Sequence, residues 1–197
     1  MSKRGTAKSM DMAEKPPADV LLAYFGFHSM PFSRNIPTHQ LMSLSGQEEM
    51  HARLRQAMRD DGIGLITGLG GCGKSTALRA FRDQLDPNRI QVLYDPNPAQ
   101  GLTGIYRDFL KTLGHEPTYF FPQLVSQVRV ALRNIIAKGM RIVMIIDEAH
   151  RLTPAWLEDV RMLLSTDMDA AALATLILVG HPELGTRLRM VRRQLFL

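Results

Sequence analysis

This sequence predicts an α/β protein, a parallel sheet sandwiched by helices, and three observations predict it. Short apolar stretches that read as strands alternate with amphipathic stretches that read as helices, so successive strands need helical crossovers. One of those strands runs directly into a glycine-rich turn that opens a helix. Two others, Val143 to Ile146 and Leu176 to Val179, are apolar almost throughout, the pattern of strands covered on both faces.

In chain order, residues 1–17 carry Lys3, Arg4, Lys8 and Lys15 and the pair Pro16 and Pro17, with little apolar content, and read as a flexible basic arm. Residues 18–44 are aromatic, with Tyr24, Phe25, Phe27 and Phe32. Pro31 and Pro37 forbid one continuous helix there, so this stretch reads as a structured linker. Residues 45–197 are the main domain. Ser45 followed by Glu48 matches a capping box and predicts a helix start, with Met50, Leu54 and Met58 on one face. Ile63 to Thr67 is a strand and Ser75 to Leu85 a helix. Ile90 to Tyr94 is a strand, and helices follow over Leu102 to Leu113 and Gln123 to Lys138, closed by Gly114 and Gly139. Arg141 to Ile146 is the third strand. Thr153 caps a further helix with Pro154 at its first position, and Leu173 to Val179 is the fourth strand.

Gly68, Leu69, Gly70, Gly71, Cys72, Gly73, Lys74 and Ser75 spell G-x-x-x-x-G-K-[ST], with a strand before and a helix after. The glycines let the backbone curl until its N–H groups converge on phosphate oxygens, and the helix N-terminus adds positive potential. The chemistry this predicts is ATP binding. Lys74 meets the β- and γ-phosphates, Ser75 coordinates Mg2+, and Thr76 meets the α-phosphate. The expected fold is therefore that of a P-loop NTPase. Cys72 reads as a small residue at a variable loop position.

The strand through Ile146 ends in Asp147 and Glu148. Beside a phosphate loop, the first acid reaches the metal and the second polarises the attacking water. That adjacency favours hydrolysis over phosphoryl transfer to a small molecule. His181, at the end of the fourth strand, stands where a polar group meets the γ-phosphate and the water, the alternative being a loop histidine without function. His150 reads equally as a γ-phosphate sensor, a coupling residue, or a capping or surface histidine. The six histidines are scattered, and with one cysteine no metal-ligand spacing is visible.

With 197 residues the chain can bury a core without staples, and a lone cysteine excludes an internal disulfide, which fits a cytoplasmic protein. No segment approaches the roughly 20 apolar residues of a membrane span. The net charge of +5 and a pI near 9.7 are compatible with phosphate polymers as well as with plain solubility. Arg187, Arg189, Arg192 and Arg193 crowd the last stretch, as a solvated face, DNA-phosphate contacts or trans-acting fingers.

Tyr24 to Phe27, Pro31 to Ser33, Ile36 and Pro37, the loop from Gly68, Ile146 to His150 and Leu178 to Leu184 occur in an order that resembles the AAA+ ATPases related to general secretion pathway protein A, many of them transposition helpers. The likeness covers roughly residues 20 to 190. It implies an oligomeric ATPase that binds duplex DNA in an ATP-dependent manner and recruits a transposase. By that likeness Lys74, Ser75, Asp147 and Glu148 keep the roles above, His181 stands at a sensor position usually held by glutamine, and Phe25 or Phe32 borders the adenine. Ser165 and Thr166 stand where relatives often have Thr-Asn. Relatives continue past the position of Leu197 with a fifth strand and a helical lid, so the expected fold lacks that lid, and Arg192 or Arg193 is the nearest candidate for an arginine finger. Two other outcomes stay open: an ATPase of a secretion or envelope-assembly system, and a nucleotide-binding remnant without turnover.

Overall fold

A computed structural model describes residues 18–28, 30, 36–42, 46–153, 155, 156, 158–160, 165, 166 and 171–195. The arm expected over 1–17, Phe32, the capping Ser45 and Pro154 lie outside them. The chain divides into two compact units, residues 1–41 and 42–197. In the first, a short helix α1 (Ala18–Phe25) forms upstream of the first proline of that stretch, Pro31, where nothing interrupts its hydrogen bonds. Tyr24, Phe25 and Phe27 are exposed and pack on one another, with ring centroids 4.9 and 5.5 Å apart.

The second unit follows the alternating pattern. Its elements are α2 (Gln47–Arg59), β1 (Ile63–Thr67), α3 (Lys74–Arg82), β2 (Ile90–Asp95), α4 (Gly101–Thr112), α5 (Phe121–Ala137) and β3 (Arg141–Ile146). A short antiparallel pair, β4 (Ser165–Thr166) with β5 (Ala171–Ala172), precedes β6 (Thr175–Gly180) and α6 (Glu183–Leu195). The sheet is parallel, in the order β1, β6, β3, β2.

Both faces of the sheet are covered, and the side-chain alternation of its central strands shows how. Ile142, Met144 and Ile146 of β3, with Leu176 and Leu178 of β6, join Tyr106, Phe109 and Leu110 of α4 and Leu124, Val128 and Leu132 of α5. Val143, Ile145, Ile177 and Val179 point the other way, onto Leu54 and Met58 of α2 and Leu78 and Phe81 of α3. His51 is buried at the seam between α2 and α3. Its Nε2 lies 3.0 Å from the Ala77 carbonyl and its ring stands against Phe81.

Two local expectations shift and a third holds. α2 starts one residue later than the capping box implied: its N-cap is Gly46, which offers no side chain, and the Met50 amide bonds the Gly46 carbonyl at 3.0 Å. The strand expected from Leu173 joins the sheet only at Thr175. Ala171 and Ala172 are already paired with Thr166 and Ser165, so the chain must turn at 173–174 before entering its register beside Val143. The helix expected after Thr153 is seen at residues 155, 156 and 158–160, and the Trp156 amide donates to Thr153 Oγ1 at 3.3 Å. Gly114 and Gly139 end α4 and α5 at φ of +77° and +78°, a conformation that favours glycine.

Candidate nucleotide-binding site

The ends of β1, β3 and β6 meet at the carboxyl edge of the sheet, the edge where open α/β sheets place their ligands. From β1 the chain leaves as a turn anchored by the Gly68 amide, which bonds the Gly180 carbonyl at the end of β6 at 3.2 Å. Gly71 (φ +76°) and Gly73 (φ +88°) hold left-handed conformations that side-chain-bearing residues adopt at a cost, and Gly73 is the N-cap of α3. Leu69, Gly70, Gly71, Cys72, Ser75 and Thr76 are exposed, so the turn is open to a ligand. Lys74 bends back over it, and its Nζ donates to the carbonyls of Gly68 and Leu69, both at 2.9 Å. Cys72 Sγ lies 4.0 Å from the same nitrogen.

Ser75, at the first turn of α3, and Asp147, just past β3, are brought together across the sheet. Ser75 Oγ donates to Asp147 Oδ2 at 3.2 Å. Two oxygen ligands on adjacent corners of an octahedral Mg2+ stand about 3 Å apart, so this hydroxyl–carboxylate pair fits that ion. Tyr94, at the end of β2, donates its hydroxyl to the same Asp147 oxygen at 3.2 Å, and the other carboxylate oxygen accepts the Glu148 amide at 2.8 Å. Asp147 is thus buried but fully partnered, its own amide held by the Asp95 carbonyl at 2.9 Å. Burial pushes the Tyr94 hydroxyl up to about 12, with the neighbouring Asp147 carboxylate adding to the effect, so it stays a neutral donor through the physiological range.

Glu148 is half-buried and sits at φ +52°, a left-handed conformation uncommon outside glycine, of the kind that concentrates at functional sites. The turn that follows is tied down from two sides. Burial raises the Asp95 carboxyl, which nonetheless accepts the Asn97 amide at 2.8 Å, and the Asn97 side chain in turn accepts from Arg151 at 2.7 Å. Arg187 of α6 donates to the His150 carbonyl at 2.7 Å. His150 and His181 are both half-buried with ring centroids 4.5 Å apart, and His150 Nε2 lies 3.6 Å from Glu148 Oε2. The side chains of Arg192 and Arg193 lie outside the described residues.

A cavity of about 760 Å³ opens beside the turn. Cys72, Lys74 and Thr76 line one end of it, and Met50, Leu54 and Ile66 supply apolar wall. Ser75 and Thr76 also border a smaller cavity of about 290 Å³ with Tyr94 and Arg82.

Sequence reasoning missed three contributors. Tyr94 read only as a strand residue, although its place at the carboxyl end of a parallel strand was a usable signal. Arg187 was counted as one of a tail cluster, and its bond to the His150 carbonyl depends on how α6 folds back. The meeting of His150 with His181 has no local signal, because 31 positions separate them.

A profile of the family described as AAA domain matches residues 55–188, more than half of the chain. The chain is 32% identical over 171 residues to general secretion pathway protein A of Aeromonas hydrophila, an alignment covering 84% of this chain and 31% of that protein. It spans about a third of that relative's length. Among solved structures it is similar to the ORC2 protein of Aeropyrum pernix in ADPNP–ADP complexes, at a TM-score of 0.60 and 14% identity over 81% of this chain and 47% of the other. It is similar also to Cdc6p of Pyrobaculum aerophilum, at a TM-score of 0.60 and 17% identity over 81% of this chain and 46% of the other. At those identities the two structures speak to the fold alone. A glycine turn between β1 and α3, an acidic pair ending β3 and a matching profile over both lead to one conclusion: the chain belongs to the AAA+ ATPase family, as a relative of general secretion pathway protein A.

Proposed function

We propose that this chain is a Mg2+-dependent ATPase module. The observation that carries the reading is the 3.2 Å contact between Ser75 and Asp147, a hydroxyl and a carboxylate side by side next to the open glycine turn. In this reading the amides from Gly68 to Thr76 wrap the phosphates and Lys74 exchanges its two loop carbonyls for β- and γ-phosphate oxygens. Ser75 and Asp147 hold Mg2+, which neutralises charge developing on the phosphates. Glu148 accepts a proton from the attacking water, and His181 meets the γ-phosphate. The cavity beside the turn takes the base. Tyr94 positions Asp147. Tyr94→Phe is expected to raise the Mg2+ concentration needed for ATP binding severalfold, the worth of one lost hydrogen bond at about 1 kcal/mol, with no change in Mg2+-free binding. The sign with pH follows from the raised hydroxyl: its bond to Asp147 is intact below the ordinary tyrosine value near 10 and is lost as pH rises through about 12. A Mg2+ titration of both proteins at neutral pH checks this.

For the output of the ATPase we propose ATP-dependent binding to duplex DNA, self-association through the ATPase domain, and recruitment of a transposase. The basic balance of the chain and the sequence likeness to transposition helpers support this reading. Arg192 and Arg193 are its candidates for DNA contact or an arginine finger. A second reading, an ATPase of a secretion or envelope-assembly system, is favoured by the 32% identity to a protein named for general secretion. Binding to a labelled DNA duplex with ATP, ADP or no nucleotide separates them. The transposition reading expects ATP-dependent binding that falls at least about tenfold between roughly 50 and 200 mM salt. Nucleotide-independent or undetectable binding at the lower salt overturns it in favour of the second.

A further inference from the structure

We propose that Glu148, His150 and His181 form a binding site for a transition-metal ion of the Zn2+ class, distinct from the Mg2+ position at Ser75 and Asp147. One ligand atom from each of the three lies within 4.8 Å of the others. Bonds of about 2.0–2.2 Å from one tetrahedral ion to imidazole nitrogen and carboxylate oxygen place neighbouring ligand atoms about 3.4 Å apart. Glu148 Oε2 and His150 Nε2, at 3.6 Å, already stand at about that spacing, and the His181 ligand atom lies within 4.8 Å of the other two. Two imidazoles and a carboxylate suit Zn2+ and its neighbours, whereas Mg2+ prefers oxygen ligands throughout. Three protein ligands leave a fourth corner for water.

The surrounding backbone holds the two rings together. A Cβ at Gly180 would meet the His150 amide nitrogen at 3.1 Å and its Nδ1 at 3.3 Å, so the glycine makes room for that ring against the end of β6. The Arg187 bond to the His150 carbonyl fixes the turn that carries it. The His181 amide approaches His150 Nδ1 at a long 3.4 Å, which favours the ring with its proton on Nε2. Metal binding through Nε2 requires any ring proton to sit on Nδ1, so the His181 amide must give up this weak contact. The consequence for turnover rests on the ATPase reading above. An ion at this site takes the carboxylate of Glu148 away from water, so it stops hydrolysis while the phosphate loop continues to bind nucleotide.

The test uses the full chain, stripped with chelator and free of nucleotide. Co2+ serves as spectroscopic probe and Zn2+ as titrant. A single Co2+ with a four-coordinate visible spectrum is expected, displaced by Zn2+. His150→Ala and His181→Ala should each weaken Zn2+ binding at least about tenfold, and Cys72→Ser should bind as the wild type does. His150→Gln, closer in size, guards against misfolding: Zn2+ should raise the melting temperature of the wild type and not of this variant. Unaltered Zn2+ affinity in both histidine variants, or its loss in Cys72→Ser, overturns the site. Because binding is read without ATP, the two readings fail separately. A chain that binds Zn2+ but never hydrolyses ATP sinks the ATPase reading alone, and one that hydrolyses ATP but binds no Zn2+ sinks the metal site alone.

Discussion

Lys74→Ala is expected to weaken Mg-ATP binding by at least roughly a hundredfold, the loss of charge-assisted hydrogen bonds to two phosphates worth about 1.5–3 kcal/mol each, about 3–6 kcal/mol together. The reason lies in what its ammonium does in the turn. Its Nζ donates to the Gly68 and Leu69 carbonyls at 2.9 Å, which places a positive charge inside the turn with partners it can exchange for phosphate oxygens. Leu69 is exposed and Gly68 half-buried, so water can replace the lysine at those carbonyls. The variant should therefore unfold within about 1 kcal/mol of the wild type in denaturant. Titration with a fluorescent ATP analogue, paired with a urea melt, reads both. Affinity within about threefold of wild type would show that the turn does not hold phosphate, and the ATPase reading would go with it.

Glu148→Gln is expected to lower the turnover number by about a hundredfold to ten-thousandfold, the range for loss of a general base, with ATP affinity retained. Glutamine keeps the length and backbone demands of glutamate but cannot accept a proton. The left-handed backbone at φ +52° and the Glu148 amide bond to Asp147 at 2.8 Å should both survive the change. Single-turnover phosphate release, measured with the protein in saturating excess over Mg-ATP, isolates the chemical step. Equal rates in the two proteins would remove Glu148 as the base.

The alternating pattern and the glycine turn were legible because their signals are local. Val143 to Ile146 is apolar on both faces whichever strands lie beside it, and a motif of eight consecutive residues needs only its own backbone to form. Boundaries were less legible where a neighbour in space decides them. Leu173 and Ala174 have strand-like character and are buried, yet they turn, because the antiparallel pair before them holds Ala171 and Ala172 out of the main sheet. α2 takes Gly46 as its N-cap although Ser45 carries the better capping side chain. The exposed aromatic cluster of Tyr24, Phe25 and Phe27 was visible as composition, but the short α1 that carries two of them was not.

Residue order alone was enough to specify a parallel α/β sheet, a glycine turn that opens a helix and an acidic pair at a strand end, since each is written in contiguous positions whose backbone preferences and polarity agree. Strand order could not be read that way. β6 inserts between β1 and β3, and that insertion carries His181 to the side of His150 and Glu148. The same packing sets Tyr94 on Asp147 across 53 positions and Arg187 on the His150 carbonyl across 37. Such contacts depend on which strand ends share the carboxyl edge of the sheet, and that is decided by burying both of its faces at once, a property of the whole core and of no single segment.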